Sequence, residues 1–80
     1  METVRVVKEF IVSSFENVPS DISEEEQLID SGIIDSMGIL KVLGFIEKQF
    51  GVKVPERDVT PDNFDSITTI ASYIDRRKGK

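Results

Sequence analysis

From Thr3 to Phe15 the apolar residues Val4, Val7, Ile11 and Phe15 recur at spacings of three and four. That spacing gathers them on one helical stripe and predicts a first helix from Thr3 to about Phe15. Val6, Phe10 and Val12 widen the apolar surface. The β-branched residues lower helix propensity, so this helix must draw its stability from packing. Asn17 and then Pro19 mark its expected end. Residues 17 to 35 read as a connection with apolar anchors at Ile22, Leu28 and Ile29. Within it, Ser23-Glu24-Glu25-Glu26 has the pattern of a capping box and predicts one helical turn. Loops of this length in small domains are functional or packed down by their own side chains, and Ile33 and Ile34 are expected to pin the far end to the core.

The second helix is predicted from Ser36 to Phe50. At 100° per residue, Ile39, Val42, Leu43, Ile46 and Phe50 share a core face. Met37, Lys41, Gly44 and Lys48 fall opposite, Leu40 lies at the boundary, and Phe45 is either exposed or packed on a neighbouring element. Gly44 either opens room near the core or admits a close partner. Gly51 suits the left-handed residue that closes a helix. Val52-Lys53-Val54 reads as a short extended connector. Thr60-Pro61-Asp62-Asn63-Phe64 predicts a capped short third helix or 3₁₀ turn, with Phe64 plugging the core. Asp65 or Ser66 can cap a last helix carrying Ile67, Ile70, Ala71 and Ile74 at i, i+3, i+4, i+7, with Tyr73 near the edge of the stripe. Arg76-Arg77-Lys78-Gly79-Lys80 sets positive charge at that helix's C-terminus. The pattern is all-α: a small four-helix bundle of three main helices and a short third one, in a single domain spanning 1–80.

Composition narrows the chemistry. A chain of 80 residues buries only about 60% of its unfolded surface, which leaves little for a deep catalytic cleft. Cysteine and histidine are both absent, which removes disulfides, thiolate metal sites and most nucleophilic catalysis. No stretch approaches the roughly 20 apolar residues of a membrane span, and no signal-peptide pattern opens the chain, so a cytoplasmic protein is expected. The net charge is −5, and from Glu9 to Leu40 there are eight acidic residues and no Lys or Arg. Such a field repels nucleic acid and favours basic protein partners. Asp30-Ser31-Gly32-Ile33-Ile34-Asp35 begins like a calcium loop, but Lys41 stands where the twelfth-position glutamate belongs, so that reading fails.

The remaining candidate is Ser36. It stands where unpaired backbone N–H groups and the positive end of the helix dipole favour an anionic substituent such as a phosphate ester. Position alone is equally satisfied by a plain N-cap serine. Asp35 could also be the cap, leaving the Ser36 hydroxyl free.

Gly32-Ile33-Ile34-Asp35-Ser36-Met37 before an amphipathic helix, in an acidic four-helix chain of this size, resembles the acyl and peptidyl carrier proteins. The resemblance covers essentially the whole chain. It implies that Ser36 is the attachment site of covalent 4′-phosphopantetheine and that Asp35 is the acidic residue of the motif. A phosphopantetheinyl transferase would supply the group from coenzyme A, and the arm's thiol would then hold an acyl or aminoacyl thioester. An adenylating ligase and a downstream acyltransferase or synthase are the other implied partners. The chain itself would be a monomer and not an enzyme. Docking residues implied on the second helix are Met37, Leu40, Gly44 and Glu47. Gly38, Lys41 and Lys48 occupy positions commonly acidic in fatty-acid carriers, and one extra residue separates the motif glycine from the Asp-Ser pair. This form is more similar to free-standing carriers loaded by a dedicated ligase, such as D-alanyl carrier proteins. The rival expectations are a helical adaptor without a prosthetic group, binding through Met37, Leu40 and Phe45, and a regulatory domain phosphorylated on Ser36.

Overall fold

The computed structural model describes residues 2–15 and 18–78. Four helices follow in order: α1 (Glu2–Ser14), α2 (Ser36–Phe50), α3 (Pro61–Phe64) and α4 (Ile67–Lys78), with a 3₁₀ turn at Glu56–Asp58. The first helix ends at Ser14, one residue before the last residue of its apolar stripe. The Asn17 stop signal lies outside the described residues, as do Gly79 and Lys80 at the basic end of the chain.

Contacts between helix ends fix their directions. Thr3 Oγ1, buried near the start of α1, donates to Asp75 Oδ1 near the end of α4 at 2.7 Å. Lys41 Nζ, in the second turn of α2, donates to the Ser14 carbonyl at the end of α1 at 3.3 Å. Arg77 Nη2, in the last turn of α4, donates to the carbonyl of Lys53 just beyond α2 at 3.3 Å. Hence α1 runs antiparallel to α2 and α4, which run parallel to each other. Between them the side chains of Ile11, Leu28, Ile34, Ile46, Phe64, Ile67, Ile70 and Ile74 are fully buried. Beside this core the Phe10 and Phe45 rings stack at 4.0 Å between centroids, so Phe45 packs on a neighbouring element.

The connection from 18 to 35 is packed down. Ile22, Leu28 and Ile34 are buried, and Ile29 and Ile33 pack against the same core. The Ile29 N–H donates to Asp65 Oδ1 at 3.1 Å, and the Leu28 N–H donates to the Asp65 carbonyl. Farther back, the Thr68 N–H reaches the Glu24 carbonyl at 3.0 Å. The capping-box expectation at Ser23–Glu26 is corrected. Ser23 Oγ accepts from the Glu25 N–H at 3.1 Å, two residues on, and only a turn forms. Serine offers the backbone this local alternative to a helix, and no apolar period follows to extend one.

A reciprocal cap does form before α4. The Ser66 hydroxyl accepts from the Thr69 N–H at 3.1 Å, and Thr69 Oγ1 accepts from the Ser66 N–H at 3.0 Å. Ser66 therefore caps α4, while the Asp65 carboxylate serves the connection. Thr60 precedes α3 in extended conformation without a side-chain cap bond, and Pro61 opens that helix. Tyr73, near the edge of the α4 stripe, is buried, and its hydroxyl donates to Asp58 Oδ2 at 2.6 Å.

Candidate functional site

Ser36 is the first residue of α2, and the residue before it does the capping. Asp35 is extended, at φ −99° and ψ −169°, and its Oδ1 accepts from the Gly38 N–H at 2.8 Å. Its backbone carbonyl takes the Ile39 N–H at 2.9 Å. The Ser36 side chain is thus exposed and its hydroxyl stands outside the cap. The N–H groups of Ser36 and Met37 come before the first intrahelical bond, at the positive end of the helix, where an anionic substituent is stabilised. Of the two expectations for this pair, Asp35 as cap is the one the geometry shows.

Three segments converge beside the serine. An open groove of about 670 Å³ is bounded on the helix side by Asp35, Met37, Gly38 and Lys41. Ser31, Gly32 and Ile33 supply the loop side, and Ser14 and Phe15 the end of α1. Gly32 closes the last turn of the loop at φ +84°, which a side chain would strain. Gly38 is buried, and a Cβ there would lie 2.8 Å from Phe15 Cε1 and 3.1 Å from Ile34 Cγ2. The residue at 38 must therefore be small for α1 to end against α2. Lys41 closes the same junction, donating to the Ser14 carbonyl with its ammonium 5.3 Å from the centre of the Phe15 ring. The last turn of α1 has no basic residue of its own, and Lys41 supplies the positive charge its C-terminus favours.

The expected docking residues are unequally placed. Met37 and Leu40 are 73% and 61% exposed, so Leu40 is an exposed residue of this face. Gly44 faces solvent, with no atom within 4 Å of where a Cβ would stand, so of its two expected roles room near the core is the one the structure removes. Glu47 lies about 16 Å along the axis from Ser36, at 1.5 Å rise per residue. There its carboxylate is 3.9 Å from Lys53 Nζ. Only Met37 belongs to the groove. On the opposite face Val42 and Ile46 are buried, whereas Ile39, Leu43 and Phe50 are partly buried. Phe15, Gly38 and Lys41 were not among the site residues expected from sequence. The i, i+4 spacing of Met37 and Lys41 could have suggested the lysine, but the place of Phe15 depends on how α1 meets α2.

The family model for a phosphopantetheine attachment site matches residues 6–75. D-alanyl carrier proteins of Streptococcus pyogenes, from serotype M5 (strain Manfredo) and serotype M49 (strain NZ131), are each 28% identical over 72 residues, covering 86% of this chain and 91% of the relative. A chain in a crystal structure described as that of an FAD-dependent dehydrogenase superposes with a TM-score of 0.77 at 32% identity, covering 85% of this chain and 97% of that one. With the match spanning most of its length, this chain belongs to the phosphopantetheine-binding carrier proteins, non-catalytic carriers that hold covalently attached 4′-phosphopantetheine.

Proposed function

We propose that Ser36 is the attachment point and that residues 1–80 form one carrier domain, which presents an acyl or aminoacyl group as a thioester on the arm. One observation supports this above the others: Asp35 caps α2, so the neighbouring hydroxyl is exposed and free of structural duty at a helix N-terminus that favours phosphate. The chain supplies the nucleophilic oxygen and a docking surface that includes Met37 and Leu40. It lacks cysteine, so the thiol that bears the cargo must come with the prosthetic group. Similarity to D-alanyl carrier proteins favours an aminoacyl cargo loaded by a dedicated adenylating ligase. A second reading follows from the dehydrogenase crystal structure, whose matched chain is nearly the same length as this one. In that reading an FAD-dependent dehydrogenase oxidises the carried group.

The test is intact mass spectrometry after incubation with coenzyme A, magnesium and a broad-specificity phosphopantetheinyl transferase. A gain of the phosphopantetheine mass, lost in Ser36→Ala, is expected. No gain, or gain that persists in Ser36→Ala, rejects the assignment. A stoichiometric complex with a partner that forms without the added mass would favour the adaptor, and a gain of phosphate alone in cells the regulatory domain. Melting separates cap from attachment point. Asp35→Ala should cost about 1 kcal/mol, whereas Ser36→Ala leaves the cap bond intact and stability nearly unchanged.

A further inference from the structure

We propose that the groove between the end of α1, the 31–33 turn and the start of α2 is a resting site for the phosphopantetheine arm. This inference rests on Ser36 being the attachment point. The residues on either side of Ser36, Asp35 and Met37, both line the groove, so an arm on that serine starts at its rim. About 670 Å³ lies within the range of roughly 300–1,000 Å³ that small-molecule sites occupy.

The lining suits this occupant. Pantetheine alternates a dimethyl-substituted carbon, two amides and a thioethyl end. The groove sets Phe15, Ile33 and Met37 beside the hydrogen-bonding side chains of Ser14 and Ser31. Charge points the same way. The phosphodiester on Ser36 would stand next to the Asp35 carboxylate, whereas Lys41 lines the groove with its ammonium at the Ser14 carbonyl on the α1 side. Like charge on one side and opposite charge on the other turn the arm toward α1.

The wall is also fixed before anything binds. Phe15 lies against Gly38, within 5.3 Å of the Lys41 ammonium and edge-on to Phe10 at 6.3 Å between ring centroids. Entry between the helices would instead require displacing Val42, Ile46 and Phe64, which are at most 1% exposed. A preformed groove asks for no such rearrangement.

The experiment uses the isotopically labelled chain before and after modification with coenzyme A. On conversion, the amides of Ser31, Ile33 and Gly38 should shift, and the arm's methyl protons should show contacts to the Phe15 ring. Alkylation by iodoacetamide gives a second readout, since the arm carries the sole thiol of this cysteine-free chain. Ser31 is exposed, so Ser31→Trp should fill the groove without entering the core. If the arm is docked about three quarters of the time, alkylation of the modified Ser31→Trp chain should be about fourfold faster than that of the modified parent. Equal alkylation rates, with shifts confined to Asp35–Met37 and arm protons as mobile as in free pantetheine, would overturn the groove while the full mass gain left the carrier assignment standing. Absence of the mass gain would reject both.

Discussion

Gly38 and Gly44 lie six residues apart on α2 in opposite surroundings. A Cβ on Gly44 meets nothing within 4 Å, while one on Gly38 lies 2.8 Å from the Phe15 ring. Glycine in a helix interior is less favourable than alanine by about 0.5–1 kcal/mol, so Gly44→Ala should stabilise the domain by that amount. Gly38→Ala gains the same propensity but must displace the Phe15 ring from α2 and crowd Ile34, and should lower stability on balance. Thermal melts of the two variants check this, and shifts of the same sign would refute it. In the sequence the two glycines look alike. Their difference was not legible because it depends on where a ring 23 residues earlier comes to rest. Ser36 and Asp35 were legible as a pair, whereas the division of labour between them required the hydrogen bond to Gly38. Gly38 also changes meaning: a position read as lacking an acidic docking residue is one where the packing of Phe15 leaves no space for one.

At the scale of elements, periodicity located the three main helices and the Thr60-Pro61 signature the short third one, with α2 bounded as expected at Ser36 and Phe50. The links between elements were less legible, because they join residues far apart in the chain. The bond from Ile29 to Asp65 spans 36 residues and that from Thr68 to Glu24 spans 44, and no local pattern encodes either. Tyr73 shows the same limit. Helical phase put it near an edge, yet the 3₁₀ turn at Glu56–Asp58 covers it and supplies Asp58 as acceptor. Burial first, and then the hydrogen bond and the negative charge of Asp58, raise the Tyr73 phenol above its ordinary pKa. A raised folded-state value means that the unfolded chain releases this proton first. The contribution to stability is therefore complete below the unfolded value near 10 and is lost as pH rises through the folded value. Chemical denaturation at rising alkaline pH should show stability falling in that window, with a shallower fall in Tyr73→Phe. Since Tyr73 is the sole tyrosine and tryptophan is absent, its ionisation can be followed directly by ultraviolet difference spectroscopy. An ordinary phenol titration with identical slopes in the two proteins would sink this account.

The whole molecule measures 34 × 25 × 20 Å and is electrically lopsided along its helices. Six of the fifteen acidic residues, and none of the ten basic ones, fall in the connection from Val18 to Asp35. The antiparallel arrangement turns that sequence bias into a spatial one. The acidic connection is tied through Glu24 to the N-terminal turn of α4, at the same end as Ser36. Arg77 and Lys78 gather at the other end with Lys53, around the close of α2. The acidic run was visible in the sequence, but its place at the Ser36 end of the helices was not. The two ends are separated by the length of α2, about 22 Å for 15 residues. That is roughly twice the screening length of about 10 Å at 0.1 M salt, so a protein approaching Ser36 feels the acidic end and little of the basic one. Neutralising exposed Glu26 and Asp30, as Glu26→Gln with Asp30→Asn, should slow the initial rate of coenzyme A-dependent modification and flatten its dependence on salt. Neutralising Arg77 and Lys78 to glutamine should leave that rate unchanged at 0.1 M salt. Equal effects from the two ends would show that net charge, and not its placement at the Ser36 end, governs the encounter.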